Sequence, residues 1–190
     1  MPMMVSMSDD LFGDILAAAQ GGDERAFALL WRDLNPRLLR YLQTIAPSSA
    51  ADLASETWLQ VIRSLKGFEG TEPAFRAWVF KVARNKATDA QRRERRRPRT
   101  TSDDTALDRL AAPDDTALLA MERVTTDAAL ALIAELPRDQ AEIIVLRVVV
   151  GLDAVTVAAM LGKSPGAVRV AAHRGLRRLQ ELVGRPPVTL

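Results

Sequence analysis

Between Leu136 and Leu182 the chain reads LPRDQAEIIVLRVVVGLDAVTVAAMLGKSPGAVRVAAHRGLRRLQEL, two short helical patterns around a tight turn, the second with a basic face. In sequence this is the form of a helix-turn-helix that reads duplex DNA. Asp153 is placed to cap a short helix whose Val157, Ala158 and Leu161 face inward, and Gly162 and Lys163 make the turn. Ser164 stands as an N-cap with Pro165 at the first helical position, where a missing N–H does no harm. Val168, Ala172, Leu176 and Leu179 then recur at three- and four-residue spacing, the expected buried stripe of an amphipathic helix. Arg169, His173, Arg174, Arg177 and Arg178 are left facing outward, toward phosphates and base edges.

One segment pulls against a helical reading. Ile143 to Val150 is rich in β-branched residues and resembles a buried strand. No other run could pair with it and a lone strand is unstable, so a helix is expected, with Ala141, Val145, Val148 and Leu152 on one face. Gly162-Lys163-Ser164 looks like the end of a phosphate-binding loop. That motif needs a glycine five residues before Gly162, where the chain has Val157, so the nucleotide reading fails.

Composition narrows the classes. A hydrophobic fraction of 48% excludes a wholly disordered chain, and only 5% aromatic residues points to helices packed by Leu, Ala and Val. The absence of cysteine removes disulfides and thiolate metal sites, and a single histidine argues against a histidine metal centre. No metal or other cofactor is expected. The N-terminal MPMMVSMSDDLFGD lacks the pattern of a signal peptide, and no apolar run approaches the length of a membrane span. A cytoplasmic protein without membrane insertion is the expectation.

The 190 residues divide into two helical blocks and an acidic tether. In the first block, 8–97, Asp10 to Gln20 forms a short helix ending at Gly21–Gly22. Asp23 caps a second, with Phe27, Leu30, Trp31 and Leu34 on its apolar face, a bend available at Pro36, and Leu38, Leu39 and Leu42 beyond. A third runs from about Ala50 to Lys66. A loop, Phe68–Pro73, then leads into a long helix from about Ala74 to Arg97, ended by Pro98. The stretch 98–125 carries Asp103, Asp104, Asp108, Asp114, Asp115 and Glu122 against Arg99, Arg109 and Arg123, too polar for a core and suited to a linker, with a helical turn near Leu107–Leu110. Extended, its length spans at most roughly 90–100 Å. The second block, 126–184, holds the helix-turn-helix.

Two surfaces of the first block carry chemistry. Lys81, Arg84, Lys86, Arg92, Arg93, Arg95, Arg96, Arg97 and Arg99 crowd one helix end, opposed only by Asp89 and Glu94, with Phe68, Phe75, Trp78 and Phe80 upstream. Cations beside aromatic faces suit a nucleic-acid strand, phosphates taking the charge and unstacked bases the rings. The plainer reading is a solvated helix end with Trp78 and Phe80 in the core, which is favoured for Phe80; nine cations in nineteen residues exceed what a helix dipole needs. On the third helix, Leu53, Thr57, Val61 and Leu65 line one side, while Asp52, Glu56, Gln60 and Arg63 line another. Paired carboxylates can serve acid–base chemistry, but nothing accompanies these two, leaving a docking face or plain solvated surface.

The order of these features resembles the extracytoplasmic-function sigma factors of bacterial RNA polymerase, over roughly Asp14 to Val183. AADLASETWLQVIRSLKGF (Ala50–Phe68) is similar to that family's conserved helix, PAFRAWVFKVARNKATDAQRRERRR (Pro73–Arg97) to its promoter-melting and minus-ten-reading helix, and the C-terminal motif to its minus-thirty-five reader. The resemblance implies an all-α fold of two small domains, and a non-catalytic protein that directs polymerase core to promoters and assists their melting. It implies that Asp52, Glu56 and Gln60 meet the beta-prime clamp helices, with the beta flap as a further contact. Phe68, Glu69, Thr71, Trp78, Arg84, Asn85, Asp89, Arg92 and Arg93 would meet minus-ten DNA, the Phe68–Pro73 loop capturing a flipped base. Ser164, Arg169, His173, Arg174, Arg177 and Arg178 would meet the minus-thirty-five element. An anti-sigma factor is an implied partner. Departures from the family pattern are Ser55 for a usual glutamine, Trp58 for phenylalanine, and Val170–Ala171 for a common Ser–Arg pair, which removes an expected DNA contact.

Overall fold

A computed structural model describes residues 9–96 and 128–183, and every regular element among them is helical. The tether, with its Leu107–Leu110 turn, and Pro98 lie outside the described residues.

The first group is α1 (Asp9–Gln20), α2 (Glu24–Ile45), α3 (Ala50–Ser64) and α4 (Glu72–Arg96). Phe12, Leu16 and Ala19 turn one face of α1 into the core. Its C-terminal Gln20 reaches across to the turn that follows α3, donating from Nε2 to the Leu65 and Phe68 carbonyls at 2.9 and 2.8 Å. The Asp23 carboxylate caps α2, accepting from the Arg25 and Ala26 amides at 2.7 and 3.1 Å. α2 then runs unbroken through Pro36, which is exposed and removes a single ladder bond. Its buried face is Ala26, Leu30, Leu34, Leu38, Tyr41, Leu42 and Ile45. Trp31, expected on that face, is instead 40% exposed, because the four-residue steps from Ala26 to Leu38 carry the stripe past it.

α3 buries the expected Leu53, Thr57, Val61 and Leu65, and the Thr57 hydroxyl satisfies itself on the Leu53 carbonyl at 2.6 Å. Trp58 is buried too, its indole N–H donating to Asn35 Oδ1 at 2.9 Å. A 3-10 turn, Leu65–Gly67, closes α3. α4 begins at Glu72 rather than near Ala74: the Thr71 carbonyl accepts the Phe75 amide at 2.9 Å, and Pro73 falls in the first turn, where no donor is lost. The loop before α4 is therefore shorter than the sequence suggested.

The second group is α5 (helical over 128–134), α6 (Arg138–Ile144), α7 (Ala154–Leu161) and α8 (Pro165–Val183). The strand-like run is helical, but α6 passes into a π turn, Val145–Val149, where the Val150 amide reaches the Val145 carbonyl at 2.9 Å. The residue added by that wider turn rotates the register. Ala141, Val145 and Leu152 are buried as expected, whereas Val148 is 56% exposed and Val150 takes the inward place.

The Asp153 carboxylate caps α7, accepting from the Val155 and Thr156 amides, each at 2.8 Å. These bonds hold the Asp153 carboxyl below its ordinary pKa of 3.8. Asp153→Ala is expected to cost about 1 kcal/mol of stability in this group. The sign follows from the depressed pKa: the contribution is complete above the ordinary value and fades as pH falls below it. Thermal melts of wild type and variant at pH 7 and pH 3 check this, since their difference should narrow in acid.

α8 packs on α6 and α7, with Val168 and Gly175 buried and Ala171, Ala172 and Leu179 half-buried. Leu176 is 44% exposed and leaves the expected stripe. Gly175 takes its place because the helices come so close that a Cβ there would sit 3.0 Å from Ile144 Cγ1. The buried apolar residues of the two groups form one contiguous cluster.

Candidate nucleic-acid interface

On α8 the outward residues are cationic. Arg169, His173, Arg174, Arg177 and Arg178 are all exposed, at spacings that wrap the side away from α6. The helix is presented by its own chemistry: the Ala158 carbonyl accepts the Lys163 amide at 2.9 Å, and Ser164 Oγ accepts the Ala167 amide at 3.2 Å. Ser164 thus spends an acceptor on the cap while remaining exposed at the leading end of the helix. A recess of about 270 Å³, lined by Gln140, Arg174, Arg177, Arg178 and Glu181, lies beside the arginines and is suited to a phosphate. Val170, a departure from the family pattern, lies on the outer surface of α8. It is 50% exposed in the first half of α8, the part of such a helix that meets base edges, and its methyls suit the methyl of a thymine.

The start of α4 holds an aromatic plate. Phe68 stacks on Trp78 (5.1 Å between centroids, 26° between planes) and meets Phe75 edge-on at 5.3 Å. Phe80 is wholly buried, so the core reading holds for it, whereas Trp78 is half-buried. One face of Phe68 is therefore occupied, and the ring acts first as a wall that closes the core. Above it Glu69, Gly70 and Thr71 are exposed. Gly70 has φ of +153°, and a Cβ there would lie 3.2 Å from both Phe68 Cζ and Ala74 Cβ, so the turn depends on glycine.

Along α4, Asn85, Asp89, Arg92 and Arg93 are exposed, and from Trp78 to Arg92 the helix runs about 21 Å. Asp89 and Arg92 make a long surface ion pair at 3.8 Å, of little energetic weight. Arg84 is differently placed. It points to the second group, its Nε donating to Glu142 Oε1 at 3.0 Å.

α3 presents the third surface. Asp52 and Glu56 are exposed, Glu56 facing Lys86 of α4 at 3.3 Å, while Gln60 is half-buried on Ser64 Oγ at 3.0 Å. Leu59 and Ile62 of the same helix are 53% and 52% exposed, which pattern reading missed. The signal was available, since both fall outside the Leu53–Thr57–Val61–Leu65 stripe. Exposed apolar side chains on a helix that also carries charge suit a protein partner better than solvent. Among the described residues no group of acidic or histidine side chains could hold a metal, and no helix is long and apolar enough to cross a membrane.

Comparison with known proteins matches residues 30–97 to "Sigma-70 region 2" and residues 126–179 to "Sigma-70, region 4". The chain is 39% identical to the ECF RNA polymerase sigma factor ShbA of Streptomyces griseus, covering 93% of this chain and 98% of that one. It is 33% identical to the ECF RNA polymerase sigma factor SigD of Mycobacterium tuberculosis, covering 93% and 86%. Among solved structures it shares a fold with RpoE of Bartonella quintana, determined with the anti-sigma factor NepR, at 23% identity and a TM-score of 0.58, over 83% of this chain and 96% of that one.

Proposed function

The chain belongs to the sigma-70 family as an extracytoplasmic-function sigma factor, and from that premise we propose how its surfaces divide the work of promoter recognition. Residues 8–97 form the unit that binds polymerase core and the minus-ten element, 98–125 the tether, and 126–184 the minus-thirty-five reader. The observation that carries this is the separation of chemistry: two cationic helical faces, on α4 and α8, and one acidic-apolar face on α3.

α8 enters the major groove, with Arg169, His173 and Val170 toward base edges and Arg174, Arg177 and Arg178 on phosphates, while Ser164 sits at the leading end. Asn85, Asp89, Arg92 and Arg93 follow the melted strand along α4, joined by Arg84 once it is released from Glu142. Glu69 and Thr71 rim the pocket that takes a flipped base, and Phe68 and Trp78 supply its aromatic floor, at a cost of a few kcal/mol in unstacking. Asp52, Glu56 and Gln60, with Leu59 and Ile62, meet the beta-prime clamp helices, and the C-terminal unit meets the beta flap. Two weak DNA contacts joined by a tether multiply through effective concentration. The protein catalyses nothing itself, needs no cofactor, acts in the cytoplasm with the polymerase, and is held in check by an anti-sigma factor.

Reversing charge at Asp52 and Glu56 tests the docking face. The Asp52→Lys, Glu56→Lys protein should co-purify with core polymerase at least about tenfold less well than wild type, since like-charge contact suppresses a partner by several kcal/mol. Equal recovery of variant and wild type would move the docking face elsewhere.

A further inference from the structure

We propose that Val170 commits the minus-thirty-five element to a thymine, read through its C5 methyl, at the base pair beneath the leading turns of α8. This rests on the placing of α8 in the major groove under the function proposed above. The buried side of α8 is fixed by Val168 and Gly175, with Ala172 and Leu179 half-buried beside them. At about 100° per residue, Val170 stands about 200° round the helix from Val168, almost opposite that side. Gly166 shares this outermost line and has no side chain, and the exposed Ala167 beside it carries a single methyl. The outermost group on the leading turns is therefore the exposed isopropyl of Val170. Arg169 and His173 flank it on one side, at about 100° and 140° from Val168, and Arg174 on the other at about 240°.

An isopropyl group in that position selects one base. Every base edge in the major groove offers hydrogen-bond donors or acceptors, and the one apolar group there is the thymine methyl. Beneath Val170 a cytosine amine or a guanine carbonyl loses water and gains no partner. A thymine methyl instead leaves water against the valine methyls, which is favourable. Reach points the same way. Valine is short, so the helix must lie deep in the groove for its methyls to touch a base. Gly166 and Ala167 permit that depth, because neither has a side chain that holds the helix off. A Cβ at Gly166 would have Ser164 Oγ as its nearest neighbour, at 4.0 Å, so no other part of the protein fills the space above it. The long side chains of Arg169, His173 and Arg174 reach past the valine to adjoining base pairs and to phosphates, and so leave the base beneath it to Val170.

The test uses the full-length chain with core polymerase, selected against a duplex library randomised over the minus-thirty-five element. Wild type should enrich thymine at one position. Val170→Ala, a helix-favouring change at an exposed site, should flatten that position while the others keep their preference. Deoxyuridine in place of that thymine removes the methyl alone. It should lower wild-type affinity about fourfold, what one buried methyl is worth, and Val170→Ala should not distinguish the two bases. At the same position, 5-methylcytosine should bind wild type better than cytosine by a comparable factor. No thymine preference in wild type, a preference that survives in Val170→Ala, or deoxyuridine bound as well as thymidine overturns the proposal. Two such failures differ in what they leave standing. Enrichment that is lost with Arg174→Ala, Arg177→Ala but indifferent to Val170→Ala keeps α8 as the reader and removes Val170 alone. Enrichment unchanged in both variants removes the reader assignment together with the proposal.

Discussion

Arg76→Ala is expected to destabilise the N-terminal group by about 3–5 kcal/mol, a large share of what a domain of this size possesses. Arg76 and Glu72 are each buried, paired one helical turn apart, with Arg76 Nε donating to Glu72 Oε1 at 3.0 Å. Glu72 Oε2 is also buried and has no partner among the described residues, so the carboxylate already leans on the guanidinium. Removing Arg76 strands that charge and unpairs the Val150 carbonyl. Replacing both partners with apolar residues, Glu72→Leu and Arg76→Met, should recover most of the loss, because a buried ion pair gains little over a packed apolar pair. All three tryptophans, Trp31, Trp58 and Trp78, lie in this group, so urea unfolding followed by their fluorescence reads it directly. A loss under 1 kcal/mol for the single variant would mean that water reaches Glu72.

The second large effect is expected on DNA. Arg174→Ala with Arg177→Ala should lower promoter affinity by about 100-fold, from a loss on the order of 1–3 kcal/mol per base contact or a comparable electrostatic loss. If both touch phosphates, the loss is uniform across sequences and the salt slope falls by roughly two. Relaxed preference at a minus-thirty-five position would instead mark a base contact. Core binding through the α3 face should be unchanged, since both side chains are exposed on α8, a different helix. Footprints identical to wild type would remove α8 as the reader.

Much of this architecture could be read from local signals. Asp23, Asp153, Ser164 and Gly162 act where their capping chemistry placed them, because a cap depends on neighbours two or three residues away. What escaped the sequence is tertiary. The π turn at Val145–Val149 exchanges Val148 for Val150, and no periodicity argument on a continuous apolar run can see one inserted residue. Leu176 gave way to Gly175 because two helices approach closely, a fact carried by Ile144 on another element. In the candidate site, the cationic face of α8 was legible from spacing alone. The engagement of Arg84 by Glu142, 58 residues away, was not. Leu59 and Ile62 were legible as apolar residues outside the Leu53–Thr57–Val61–Leu65 stripe, and the structure adds that both are exposed.

Transcription in vitro with purified core polymerase, with and without the full-length chain, tests the central claim most directly. Initiation at discrete sites should depend on the chain, with permanganate-reactive bases around the minus-ten element and protection upstream at minus thirty-five, and should fail with the α8 double variant. A chain that binds duplex DNA alone yet leaves core polymerase without site-specific transcripts would contradict the account and leave a self-sufficient helix-turn-helix regulator in its place.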